Sequence, residues 1–286
     1  MNALSAVALS LFYALLYVAC IYAAVALRPP PDGATHSRDH PHVIGQRMRG
    51  ALVATVCSVS LTAFIMLRDQ AWPKVISQLG LSPRAILGSS LVSLALTCIL
   101  YVGPLAMDRL DGAFAWDRVR PALVQAAGEP ACWRNYVVGP VTEELVFRAA
   151  VVPLWVAAGV APTVTLLVSP LVFSVAHVHH AAASWWGGSA RLSQVVATML
   201  AQLAYTAAFG CYAVALFTRT GSVAGPIVAH IVCNIQGLPS ISRINEYRPA
   251  AAKYALWAVH IAGVLGLLLL FEPMTRPGIF VVVGIF

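Results

Sequence analysis

Pro140-Val-Thr-Glu-Glu-Leu-Val-Phe-Arg148 sets two adjacent carboxylates and a guanidinium inside an otherwise apolar run spanning about 136–158. A charge held at bilayer depth costs at least about 2.5 kcal/mol on insertion scales, so three ionisable groups this close together must be paired, hydrated or at work. The stretch therefore predicts a functional site inside a membrane-spanning helix.

The rest of the chain agrees with that setting. It is 59% apolar and 10% charged over 286 residues, against about 25% charged in soluble domains. Runs long enough to span a bilayer fall at about 3–27, 50–67, 85–107, 136–158, 160–178, 192–217, 221–240 and 253–272, which predicts an all-α polytopic transmembrane bundle of about eight spans. Only Gly159 and Ala161-Pro162 separate the fourth and fifth runs, a tight helical hairpin. The first run is longer than a secretory signal core, lacks a basic flank and precedes no small-residue cleavage pattern, so it reads as a retained helix. Cysteines 20, 57, 98, 132, 211 and 233 are scattered singly, which predicts free thiols.

The net charge of +7 does not point to nucleic acid, because the basic residues gather between the apolar runs and orient them. With a luminal N-terminus, the connections near 28–49, 108–135, 179–191 and 241–253 face the cytosol. They hold most of the arginines, from Arg28, Arg38, Arg47 and Arg49 to Arg118, Arg120, Arg134, Arg191, Arg243 and Arg248. Arg68, Lys74, Arg84, Arg219 and Arg276 fall on the other side. This topology places Glu143 and Glu144 about two turns inside the cytosolic end of the fourth span. His177 then lies at the cytosolic end of the fifth, and His230 and Asn234 just past the middle of the seventh, at a similar depth.

Glu144 and Arg148 are i,i+4 neighbours, the spacing of an intrahelical ion pair. Glu143 points about 100° away around the helix, which leaves it as a candidate general base unless both carboxylates serve the arginine. In Phe173-Ser-Val-Ala-His177-Val-His-His180, His177 and His180 share a face. An imidazole there can orient or deprotonate water, ligate zinc, or cap the helix at the water interface, the role that suits His179 and His180. His230 and Asn234 stand one turn apart, a spacing that serves two oxyanion-hole donors or interhelical hydrogen-bond glue.

Taken in order, Glu143-Glu144-x-x-x-Arg148, Phe173-x-x-x-His177 and His230-x-x-x-Asn234 resemble the motifs of the CAAX-protease and bacteriocin-processing superfamily of intramembrane glutamate proteases. Trp133-Arg-Asn, Tyr205-Thr-Ala-Ala-Phe-Gly210, Arg219-Thr-Gly221 and Gly225-Pro226 narrow the resemblance to the eukaryotic type II CAAX prenyl endopeptidases, and Arg38-Asp39-His40-Pro41 extends it to the first loop. The resemblance implies a single membrane domain over 1–286 with a catalytic core at about 130–240. It implies removal of the C-terminal aaX tripeptide from farnesylated or geranylgeranylated CAAX proteins such as small GTPases, in the endoplasmic reticulum membrane, with the site facing the cytosol. Carried over residue by residue, Glu143 and His177 would activate water, His230 and Asn234 would hold the oxyanion, and Glu144 and Arg148 would support them.

The cavity is then expected between the fourth, fifth and seventh spans, open to cytosol and to lipid. No cofactor and no metal are expected, since no HExxH pairing occurs, although one Glu with two His could supply three zinc ligands. An ion-coupled transporter is the reading from another class. It is disfavoured because the intramembrane polar residues fall in the second half of the chain, without the symmetry of two repeats.

Overall fold

Helix α1, Ala3–Leu27, starts at Asn2, whose side chain accepts the Ser5 N–H at 2.9 Å. The computed structural model describes residues 1–31, 38–114, 122, 124–179, 185 and 191–276. Among these are helices and turns and no strand. Helix α2, Pro41–Met66, begins well before the expected 50–67 run because Pro41 supplies a preorganised first turn behind the His40 cap. Arg47 and Arg49 thus lie on α2 and not in the connection. The third expected span is also broken differently: α3 is Trp72–Gln78, α4 Pro83–Leu100 and α5 Val102–Leu110. Pro104 has no N–H to return to Leu100, so the α4 ladder stops there.

The central element, α6, is a continuous rod over 130–157. It alternates α-helical Pro130–Trp133, Gly139–Glu144 and Val151–Ala157 with π-helical Arg134–Val138 and Leu145–Ala150. Pro140 explains the first π segment: it cannot donate back to Tyr136, and the ladder widens on its N-terminal side. Because the rod starts at Pro130, Glu143 and Glu144 sit about four turns from its beginning and not two. Gly159, at φ 69°, turns the chain into α7, Pro162–Ala176. Helix α8, Leu192–Thr220, ends on left-handed Gly221 at φ 64°, whose N–H returns to the Phe217 carbonyl at 2.9 Å. Helix α9, Ala224–Gln236, a 3-10 turn at Ile241–Glu246 and α10, Ala250–Met274, complete the described chain.

Among the described residues, five helical stretches are long and apolar enough to cross a membrane: α1, α2, Trp72–Leu100, α8 and α10. Helices α7 and α9 are shorter, and the rod is interrupted. Leu15, Val56, Leu87, Leu200, Leu268 and Leu269 point outward, an apolar exterior that only a lipid environment satisfies. The protein is a multi-pass helical membrane bundle.

Helix α1 packs along α2, α7 along α8, and α4 along α9, with α10 laid against α4 and α5. The rod fills the middle, where Val146, Ala149, Ala150, Val151, Val152 and Leu154 are wholly buried. Small residues set the close approaches. A side chain on Gly50 would run into the Cys20 carbonyl of α1, and one on Gly210 would start 2.6 Å from the Pro170 Cβ of α7. Polar groups are not confined to the second half: Tyr13 bonds Thr62 at 2.9 Å, Thr62 donates to the Ala150 carbonyl at 3.1 Å, and Gln46, Ser58, Ser89 and Ser93 are buried. These hydroxyls escaped notice because Ser and Thr are small and uncharged and do not interrupt an apolar run, whereas their partners lie across helices, Thr62 on Ala150 and Ser89 on Thr220.

Candidate active site

Glu144 and Arg148 are both fully buried on the rod. Arg148 Nη1 donates to Glu144 Oε1 at 3.1 Å, and its Nε stands 3.1 Å from Oε2, near enough to pair charges but outside hydrogen-bond alignment. The guanidinium is sandwiched between aromatic faces, 4.7 Å from the Phe173 ring and 5.5 Å from Phe209. One arginine thus occupies one carboxylate.

His230 comes from α9 to the same point. Its Nδ1 lies 2.7 Å from Glu144 Oε1, and since a carboxylate only accepts, Nδ1 carries the hydrogen. That bond turns Nε2 towards Glu143, whose Oε2 is 3.8 Å away. The distance is too long for a direct hydrogen bond. An oxygen about 2.8 Å from both atoms would subtend roughly 85° between them, so a single water fits off the line joining them.

His177 caps α7 and directs Nδ1 to the Phe173 carbonyl at 2.9 Å, which fixes the hydrogen on Nδ1 and leaves Nε2 as an acceptor. Its ring meets Phe173 edge-on at 4.6 Å, and Phe209 packs 4.8 Å from His230, so both imidazoles are held by aromatics. Asn234 lies one turn beyond His230, and its Nδ2 donates to the Asn135 carbonyl at 2.8 Å. One of its two amide hydrogens is used in this way.

Glu143, His177, His230 and Asn234 all line one cavity of about 910 Å³. Glu144 and Arg148 stand behind it. The cavity is broader than the expected space between three spans: Tyr17 of α1, Arg47 and Met48 of α2, and Tyr205, Phe209 and Tyr212 of α8 also form its wall. Tyr17 is fixed by a 2.8 Å bond to Thr142 on the rod. The α8 contribution has a signal in the sequence, since Thr198, Gln202, Tyr205, Phe209 and Tyr212 recur every three or four residues, a polar-aromatic stripe on a membrane helix. Tyr17 has no such signal.

His179 directs Nδ1 to the Ala176 carbonyl at 2.6 Å, and His180 lies outside the described residues, as do Arg118 and Arg120. Burial pushes the His179 imidazole below its usual range against that carbonyl's pull, and His177, Arg47 and Arg38 lower it further. Among the described residues no three His, Cys, Asp or Glu side chains converge as a metal-ligand set, and the cysteines are free.

The arrangement offers a carboxylate facing an oriented imidazole, a second imidazole and an amide on one wall, and a charge-compensated support behind them. That is the equipment for activating water and holding a developing oxyanion.

Residues 127–236 match the family described as type II CAAX prenyl endopeptidase Rce1-like. Over longer stretches the chain is similar to CAAX prenyl protease 2 of Arabidopsis thaliana, 30% identical over 291 residues covering 95% of this chain and 90% of the relative. It is similar to CAAX prenyl protease 2 of Homo sapiens, 34% identical over 262 residues covering 85% and 75%. The corresponding figures for CAAX prenyl protease 2 of Caenorhabditis elegans are 31% over 247 residues, 84% and 90%. No solved structure matches the chain.

Proposed function

Because this chain belongs to the type II CAAX prenyl endopeptidase family, we propose that it is an intramembrane endopeptidase that hydrolyses prenylated CAAX proteins, releasing the C-terminal tripeptide. The observation that carries the chemistry is the 3.8 Å gap between His230 Nε2 and Glu143 Oε2 on the cavity wall.

Glu143 takes a proton from a water held in that gap, with His177 Nε2 accepting a second hydrogen bond to orient it. The resulting hydroxide attacks the scissile carbonyl. His230 is oriented by the Glu144 carboxylate behind it through Nδ1–H, and in its doubly protonated form its Nε2–H, with the remaining Asn234 amide hydrogen, donates to the tetrahedral oxyanion. Glu143 then returns its proton to the leaving amine, so proton and charge balance close without a covalent enzyme intermediate. Arg148 holds Glu144 in place through the buried pair.

The catalytic core is assigned to about 130–240 within one domain. The chain sits in the endoplasmic reticulum membrane with the cavity open to the cytosol and sideways to lipid. The excess of arginines on the connections at that side supports this orientation. The prenyl group enters from the bilayer and the peptide from the aqueous side.

Release of tripeptide from a farnesylated CAAX peptide by the purified chain tests the proposal. Glu143→Gln and His177→Ala are expected to lose about 10²–10⁴-fold in kcat, with no effect of a strong chelator on wild type. Loss on chelation with rescue by zinc would replace the water-activating role of Glu143 and His177 with metal ligation. No release by wild type would defeat the proteolytic reading.

A further inference from the structure

We propose that Arg38 and Arg47, braced by Arg134 and Asp39, form a seat for an organic carboxylate, and that its occupant is the free C-terminal carboxylate of the bound peptide. The inference rests on the proteolytic reading and adds to it how the enzyme finds the end of its substrate.

Arg38, Arg47 and Arg134 line the same cavity as Glu143 and Asn234. Arg134 spends Nη1 on Asp39 Oδ1 at 3.0 Å and on the Arg38 carbonyl at 3.2 Å, and Nε on Asn135 Oδ1 at 2.9 Å, so it pins the first loop to the rod. Neither the Arg38 nor the Arg47 side chain makes a hydrogen bond or ion pair among the described residues. Arg47 lies 5.3 Å over the Tyr22 ring with its Nε buried and unpartnered. Partial burial lowers the Arg38 guanidinium, and the neighbouring Arg134 and Arg47 charges add to it against Asp39. Three guanidinium groups therefore line one cavity, and among the described residues only that of Arg134 is in an ion pair, with Asp39, a surplus that an incoming anion relieves. The planar guanidinium fork is matched to a carboxylate.

The spacing fits a tripeptide. Arg134 precedes Glu143 by nine positions on one rod, roughly 13 Å at helical rise. Three extended residues span about 10 Å. Asn234 touches the Asn135 carbonyl, next to Arg134, so the oxyanion end and the arginine end of the cavity are joined through the rod's first π segment.

The test uses the full chain in neutral-lipid nanodiscs and one farnesylated peptide made twice, as the free acid and as the C-terminal carboxamide. Wild type is expected to prefer the acid by about tenfold or more in kcat/KM. Arg38→Gln and Arg47→Gln are expected to bring that ratio towards one, mainly by raising KM for the acid. Because the ratio is taken within each preparation, a misfolded fraction cancels. Equal cleavage of acid and amide by wild type overturns the proposal and leaves the protease standing. A preference undiminished in both variants overturns the assignment to these arginines. If the variants respond only to added phosphatidylglycerol with the ratio unchanged, the seat belongs to a lipid headgroup and the proposal falls. Cleavage of neither peptide overturns the proteolytic reading and this proposal with it.

Discussion

His230 Nδ1 stands 2.7 Å from Glu144 Oε1, a contact between helices 86 positions apart in sequence that fixes which nitrogen of the imidazole faces the cavity. Glu144 thereby serves two masters, the Arg148 guanidinium on its own helix and the imidazole across from it. The two glutamates, adjacent in sequence, are given different work by their surroundings.

Removing Glu144 leaves Arg148 charged and buried. Breaking a buried pair by deleting one partner costs about 3–5 kcal/mol, so Glu144→Ala and Arg148→Ala should each lower the thermal midpoint of the detergent-solubilised protein substantially. Glu144→Leu combined with Arg148→Met should recover part of that stability without activity. A wild-type midpoint in either single variant would show that the pair bears no load.

Asn234→Ala removes a donor from an exposed position on the cavity wall. The expected loss is about 10²–10³-fold in kcat, the magnitude for one oxyanion donor, with the unfolding midpoint nearly unchanged. Steady-state kinetics on the tripeptide-releasing assay reads it, and a KM effect alone would assign Asn234 to binding.

Gly210→Ala places a Cβ 2.6 Å from Pro170 Cβ, and α7 and α8 must separate to admit it. Overpacking of this kind costs about 1–3 kcal/mol. The displaced α7 carries His177, so activity should fall with stability; full activity in a destabilised variant would separate the two.

His179 provides a pH prediction with a definite sign. Its imidazole is pushed below the ordinary 6.5 in the folded chain, so the unfolded chain binds the proton more readily and folding stability declines as pH falls through that value towards the lower folded one. His179→Gln should flatten this part of the stability profile between pH 7 and 5 while leaving pH 8 unchanged. A parallel shift at every pH would contradict it.

The sequence was most legible where chemistry conflicts with surroundings. Charges and imidazoles in apolar runs stand out by composition alone, and Glu143, His177, His230 and Asn234 fall on one cavity. The Glu144 to Arg148 spacing also translated directly into contact. Span boundaries were harder, because hydropathy marks where the lipid-soluble stretch lies and not where the hydrogen-bond ladder starts; α2 begins in a polar turn at Pro41. The π segments were invisible, since a widened turn depends on Pro140 and on packing, not on periodicity. Tyr17 and Arg47 reach the cavity only through the pairing of α1 with α2, a long-range relationship that no local pattern encodes.

The two π segments on either side of Gly139–Glu144 have a mechanical consequence. In an unbroken α-helix, a twist applied at one end is passed to every residue beyond it. A widened turn acts as a slip coupling, taking up rotation before handing it on. With one on each side, rotation arriving from either end of the rod is taken up before it reaches Glu143 and Glu144, and the carboxylate pair keeps its bearing.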